Sequence, residues 1–236
     1  NSEIAVLQTK FTNQVNAGTK AAAVLVDRVE DLDGLSKEAI ARAAEAATQA
    51  GQKGKYLLEQ ANTTRPGYIA ELNNRDLRRR VLEASLNRCS GSDSTGTHAT
   101  ITRIAELRAT KAKLLGFSSF SAWALSDQMA QRPEAVLHLV DQLAPACRAK
   151  VAEDAAELQA FAQKTEGKEF KLEAWDWDYY AERLKKEKFD LNESDLKPYF
   201  VLDSVLENGI FFAANRLYGL TFKPRPDIPV YADGVK

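Results

Sequence analysis

The sequence predicts a mainly α protein: a multi-helix layer with one short β-ribbon at its margin and an extended C-terminal segment. Three observations carry that expectation. Apolar residues recur at spacings of three and four through most of the chain, the pattern of helix faces. Two short runs between the helices, residues 23–26 and 55–58, read as paired strands. Hydrophobic residues make up 44% and charged residues 28% of the 236 positions, ordinary globular values that exclude a disordered or collagen-like chain.

From the N-terminus, Ile4, Leu7, Phe11 and Val15 mark the first helix face, with Gly18 expected to end it as a left-handed cap. Ala23-Val24-Leu25-Val26 follows as an extended run. The hydroxyl of Ser36 can accept a bond from the first turn of the Ala-rich helix 37–50, which Gly51 stops. Lys55-Tyr56-Leu57-Leu58 is expected to pair antiparallel with the first run. So small a ribbon must lie on helices to persist.

After Asn62-Thr63-Thr64-Arg65-Pro66, one helix is expected to carry Ile69, Leu72, Leu77, Val81 and Leu86. Residues 90–97 are the one low-complexity stretch. They read as a mobile hinge or, preferably, as an exposed loop. This loop sets the expected organisation: residues 1–97 hold helices and the ribbon, and residues 98–236 form a helical region.

Ile101, Ile104, Leu107, Lys111 and Leu114 continue a helix until Gly116, and Ser118 is placed to cap the next, which runs through Trp123 to Met129. Pro133 suits a first helical turn. Val136, Leu139, Val140, Leu143, Cys147, Val151, Leu158 and Phe161 then mark a helix of about thirty residues, with Pro145 expected to kink it. Further helices are expected near residues 177–186, 193–199 and 202–218, the last ended by Gly219. The chain from Leu220 reads as extended and is punctuated by Pro224, Pro226 and Pro229. No internal repeat of about 20–50 residues is present, which disfavours a solenoid.

Charge and composition narrow the function classes. Thirty-two basic residues against 33 acidic ones leave a net charge of −1, without the cationic excess that displaces counterions from nucleic acid. No apolar run approaches the roughly 18–20 residues that cross a bilayer. The polar start Asn1-Ser2-Glu3 does not resemble a signal peptide. A soluble, cytoplasmic protein with no nucleic-acid or membrane partner is therefore expected. The missing initiator Met, and a strand-like run over residues 228–236 at the other end, fit a stretch of a longer protein at least as well as natural termini.

Cys89 and Cys147 form no C-x-x-C pair and are expected to be buried small apolar side chains. His98, expected in a polar loop, and His138, inside a helix, are the only imidazoles and lie far apart. A hydrolytic zinc usually takes three protein ligands, commonly with two histidines one helical turn apart. No metal site is expected within this chain.

The densest polar and aromatic cluster is Trp175-Asp176-Trp177-Asp178-Tyr179-Tyr180. On a helix, Asp176 and Tyr180 share a face. Such residues can line a groove for a peptide or sugar, or form a buried anchor whose Asp caps the helix, and the anchor is the preferred reading. Trp175, Asp176 and Tyr180 are the candidate substrate-channel residues; no residue is assigned a catalytic role. The basic run Arg75, Arg78, Arg79 and Arg80 could hold an anionic terminus, but reads preferably as a solvated helix face. Phosphate-loop, dinucleotide and nucleophile-elbow motifs are absent from the sequence.

The run Arg103-Ile104-Ala105-Glu106-Leu107-Arg108-Ala109-Thr110-Lys111-Ala112-Lys113-Leu114-Leu115-Gly116-Phe117 resembles the helix-to-LLGF segment of zinc oligopeptidases related to thimet oligopeptidase. Asp127-Gln128-Met129-Ala130 with Pro133-Glu134, Trp175-Asp176-Trp177 with Tyr179-Tyr180, and Lys188-Phe189-Asp190-Leu191 extend the resemblance. So do Leu196-Lys197-Pro198-Tyr199-Phe200, Leu217-Tyr218-Gly219-Leu220-Thr221-Phe222 and, earlier, Asn62-Thr63-Thr64. It spans nearly the whole chain in order and is similar above all to the bacterial peptidyl-dipeptidase, or dipeptidyl carboxypeptidase, branch.

That resemblance implies a larger, two-halved helical metallopeptidase whose channel admits short peptides and whose zinc sits on an H-E-x-x-H helix with a downstream glutamate. The motif glutamate would activate water against a carbonyl polarised by the metal. This sequence contains no H-E-x-x-H. The implied division of labour makes the chain a segment forming channel wall or scaffold, inactive alone, with zinc bound only by the full-length parent. Its implied partners are short peptides and the catalytic half of the same chain. The alternatives are a stand-alone helical peptide-binding or scaffold module that has lost the peptidase half, and a split enzyme whose metal half is a separate chain.

Overall fold

Ten α-helices, two short strands, three 3-10 segments and one π-helical turn are the regular elements of the described part of this computed structural model, which covers residues 1–91, 93–190 and 193–232. Ser92 of the expected loop and residues 233–236 of the expected strand-like end lie outside them. The fold is mainly α, as the periodicity predicts. Among the described residues no helix is long and apolar enough to cross a membrane. The chain divides into two compact units, Asn1–Leu184 and Lys185–Lys236. The expected boundary after Thr97 falls inside the first.

In the first unit, helix α1 (Ser2–Ala21) is followed by β1 (Val24–Val26), α2 (Lys37–Gln49) and β2 (Tyr56–Leu58). The strands pair antiparallel, with Val24 opposite Leu58 and Val26 opposite Tyr56. The ribbon lies on helices as its size requires: β2 packs on α2, and Val24, Val26 and Leu58 are buried with Leu32, Leu72, Leu77 and Val81 in the main core. Ser36 caps α2 by accepting a bond from the Ala39 N–H at 3.2 Å. At the other end Gly51, at φ +76°, closes a Schellman turn in which the Gln52 N–H reaches the Ala47 carbonyl at 2.8 Å.

Two expectations about helix ends are corrected. Gly18 does not end α1. It is buried inside the helix, and a β-carbon placed there would overlap the Sγ of Cys89. The glycine is needed for close approach rather than for a left-handed turn. The single helix expected after Pro66 is two, α3 (Arg65–Glu71) and α4 (Arg75–Leu86). The break is tertiary in origin. Asn73 donates its N–H to the Asp33 carbonyl and its side-chain amide to the Asp33 carboxylate, both at 2.8 Å. Asn74 then caps α4 through the Leu77 N–H at 3.1 Å.

Helix α5 (His98–Leu114) begins one residue after the 90–97 stretch and packs along α1. His98 is therefore the first helical residue, not part of the loop. The loop is pinned at its end by Thr97 N–H to Cys89 carbonyl at 3.2 Å, and by Gln14, which donates to the Gly96 carbonyl at 2.6 Å. Ser119, not Ser118, caps α6 (Phe120–Leu125), which stops short of the expected Met129. Pro133 opens α7 (Pro133–Glu166), and Pro145 lies inside this 34-residue helix. Cys89 is half-buried, whereas Cys147, expected inside, is exposed. A 3-10 turn (Ala174–Asp176) then leads into α8 (Trp177–Phe189).

The second unit carries a 3-10 segment (Glu193–Phe200), then α9 (Leu202–Val205), a π-helical turn (Leu206–Phe211) and α10 (Phe212–Tyr218). The one helix expected over 202–218 is thus a continuous helical path with a π insertion. Gly219, at φ +69°, ends it in the left-handed conformation. The Phe222 ring then stacks on Phe211 with centroids 4.0 Å apart.

The contact of Gly18 with Cys89 generates a test. Replacing a helix-interior glycine by alanine ordinarily stabilises by about 1 kcal/mol. Gly18→Ala is expected instead to destabilise by about 1–3 kcal/mol, because the methyl overlaps sulfur. Cys89→Gly on that background should restore stability, since Cys89 also sits at φ +59°. Thermal melts of the two variants read this directly, and a raised midpoint for Gly18→Ala alone would contradict it.

Candidate functional site

The most concentrated polar chemistry in the first unit lies where α4 meets the segment 171–183. Arg75 and Arg78 are one turn apart on α4 and so face the same way. Both reach Asp176, whose side chain is fully buried. Arg75 donates Nη2 to Oδ2 at 2.7 Å and Nε to both carboxylate oxygens at 3.1 Å; Arg78 donates Nη2 to Oδ1 at 2.8 Å. Asp176 also accepts the Glu173 N–H at 3.1 Å, completing a capping box over the 3-10 turn that starts α8.

A buried carboxylate between two guanidinium groups leaves an excess positive charge, which neutral groups solvate. Arg78, itself only 2% exposed, donates Nη1 to the carbonyls of Leu72 (2.7 Å) and Asn73 (3.2 Å), and Nε to the carbonyl of Trp175 (3.2 Å). Arg75 reaches the Lys171 carbonyl at 2.8 Å. Aromatic faces complete the shell: Arg75 lies 4.4 Å over the Phe170 ring and Arg78 lies 3.8 Å over that of Tyr179. Burial alone would push the Asp176 carboxyl up, but the bonds from Arg75, Arg78 and the Glu173 N–H outweigh it and hold the group below the ordinary carboxylate range.

Tyr180 is buried one turn further along. Its hydroxyl donates to Glu166 at 3.0 Å, and its ring meets those of Phe161, Phe170 and Tyr179 edge-on, closing over Leu158 and Ala162 of α7. Burial first, and then the Glu166 carboxylate, raise its phenol well above the usual tyrosine value. Tyr179 turns its hydroxyl to Asn73 Oδ1 at 3.0 Å. Arg183 donates to the same oxygen at 2.9 Å and stacks 3.3 Å from the Tyr179 ring. Trp175, half-buried, is the one of the three expected channel residues that keeps exposed surface.

The structure therefore brings Asp176 and Tyr180 into one buried network and engages both with groups of this chain. The arginine run is divided in a way its spacing did not announce. Arg75 and Arg78 clamp Asp176, exposed Arg79 pairs with Asp76 at 2.6 Å, and Arg80 donates to the Leu25 carbonyl at 3.1 Å. Asn73, Glu166 and Arg183 escape sequence reading altogether. The one available signal was the i,i+3 spacing of Arg75 and Arg78, which fits a shared target as well as a solvated face. His98 and His138 are exposed on two different helices. Among the described residues no three His, Cys, Asp or Glu side chains gather in a way that could hold a metal ion. Chemically the cluster is an anchor: its carboxylate is neutralised, and Nε, Nη1 and Nη2 of Arg78 each have an acceptor.

Two measurements test the anchor. Asp176→Ala leaves Arg78 buried without a counter-charge and is expected to destabilise by about 3–5 kcal/mol, whereas Asp176→Ala combined with Arg78→Met should recover part of that loss. The depressed Asp176 carboxyl contributes stability that is full above the unfolded value of about 3.9 and is lost as pH falls through the lower folded value. Denaturation followed from pH 6 downward should show this acid limb in the parent. In Asp176→Asn the limb should flatten, and an unchanged limb would remove Asp176 as its source.

The model of peptidase family M3 matches residues 68–236 of the chain. Dipeptidyl carboxypeptidase of Escherichia coli (strain K12) is 41% identical over all 236 residues, which cover 34% of that protein, and its Salmonella typhimurium counterpart is 39% identical over the same span, 35% of its length. Organellar oligopeptidase A of Arabidopsis thaliana is 31% identical over 99% of the chain and 30% of its own length. The chain thus spans about a third of the length of the curated relatives it matches. A family match over more than half the chain, together with identity of this order along its whole length, makes it a member of peptidase family M3.

Proposed function

We propose that this chain is a helical portion of a zinc-dependent dipeptidyl carboxypeptidase, forming wall and scaffold of a channel that admits short peptides. The observation that carries the reading is the unbroken similarity to two dipeptidyl carboxypeptidases along the entire chain, at 41% and 39%, against 31% to organellar oligopeptidase A and 29% to the Escherichia coli protein named oligopeptidase A. In such a peptidase zinc polarises the scissile carbonyl and activates water. The described residues of this chain do not fit that ion: the two histidines are exposed on separate helices, and the buried carboxylate of Asp176 is taken by two arginines. No step of hydrolysis is assigned to them.

The residues contribute order instead. Arg75, Arg78 and Asp176 fix α4 against the start of α8, and Tyr180 with Phe161 fixes α8 on the last turns of α7. A channel that selects by width needs walls that do not yield, and a fully bonded polar anchor inside an aromatic cluster supplies that rigidity. Cys89 and Cys147 are free thiols, which suits the reducing cytoplasm proposed as its setting.

The test compares the 236-residue chain with its full reading frame on N-terminally blocked short peptides, following release of the C-terminal dipeptide. The full frame is expected to contain H-E-x-x-H and to release dipeptides in a reaction abolished by a chelator and restored by zinc; the chain alone should release none. Chelator-sensitive release by the chain alone would overturn the scaffold role. A frame lacking H-E-x-x-H would overturn the peptidase assignment in favour of a stand-alone module.

A further inference from the structure

An apolar stripe runs along the first part of α7 and stays bare, while the last part of the helix is covered. Val136, Val140, Leu143, Cys147 and Val151 follow one another at spacings of three or four residues, and Asp154 interrupts the line before Leu158. At the far end Leu158 is 4% exposed and sealed by the Tyr180 cluster. Over the first part of the helix Val140, Leu143 and Val151 are 51–56% exposed, and Cys147 is exposed too. The bare part, Val136 to Val151, is about 23 Å long at 1.5 Å per residue. A continuous apolar strip of that length is larger than the scattered apolar residues of an ordinary surface and marks a contact face. Steps of three and four residues make it the kind of seam that another helix packs on, and exposed Leu137 and Leu139 widen it on either side.

We propose that this stripe on the first part of α7 docks an amphipathic helix from the remaining polypeptide of the longer peptidase. The inference rests on the reading of the chain as a portion of such a protein. The relatives that match it end to end are about three times its length, so a partner of fixed stoichiometry exists within the same polypeptide. Tethering gives such a partner a high effective concentration, an advantage that a second copy lacks. The stripe itself carries no charge between Val136 and Val151, while Glu134, Asp141, Arg148 and Lys150 flank it with both signs. The docking helix is therefore apolar along its seam and mixed in charge at its margins.

Cys147 lies on the stripe and reports on its cover. Maleimide labelling located by peptide mass should modify Cys147 rapidly in the 236-residue chain and at least about tenfold more slowly in the full-length protein, where labelling waits on local opening. Equal rates in the two would overturn the proposal, as would a 236-residue chain that light scattering shows to be a dimer with Cys147 protected. Leu143→Asp should leave the midpoint of the short chain unchanged and lower that of the full-length protein by several degrees; no change in either also overturns it. Dipeptide release is measured on the same full-length sample. An active protein with reactive Cys147 removes the docking face and leaves the peptidase reading intact. A protected Cys147 in an inactive protein does the reverse.

Discussion

The first unit depends on one buried carboxylate. Asp176 links α4 to the segment that starts α8 through two ion pairs, and the other features of that junction are arranged around it. The capping box sets its backbone, two guanidinium groups neutralise it, and the Phe170 and Tyr179 rings stack against those groups. A single ion pair buried this deeply would struggle to offset the removal of two charges from water. The second arginine, and the backbone carbonyls that receive the remaining donors, change that balance because no buried donor of Arg78 is left without an acceptor.

The junction also explains why the two helices α3 and α4 do not merge. Asn73 stands in the break between them and receives Tyr179 and Arg183 while its own amide and backbone bind Asp33. Two separate stretches of chain, one around Asp33 and one on α8, therefore converge on one asparagine. A continuous helix through this point would bury the Asn73 backbone in the helical ladder and disperse all four contacts. Arg78 adds to the same effect by donating to the Leu72 and Asn73 carbonyls, which a continued helix would have engaged in its own ladder.

This rigid junction belongs to a chain of peptidase family M3. The apolar stripe on α7 and the exposed aromatic and aliphatic residues of the second unit, among them Phe200, Leu202 and Tyr218, share a composition suited to contact rather than to solvent.

Much of this was legible in residue order alone. Helix faces at three- and four-residue spacing, the Ser36 cap, the Gly51 and Gly116 stops, the paired short strands and the long helix begun by Pro133 are local matters. They follow from side-chain direction, backbone freedom and capping chemistry within a few positions. The continuation of α1 through Gly18 and the break at Asn73 were not legible, because each is set by a residue far away in sequence, Cys89 in one case and Asp33 in the other. For the same reason Arg75 and Arg78 could be seen as a charged run but not as the partners of a carboxylate about a hundred positions on. Sequence by itself determined the class, most of the helix faces and the family likeness, since these are carried by short-range pattern. Only the tertiary structure decided which charges are buried together and which apolar faces stay open, since burial is a property of neighbours that the order of residues does not name.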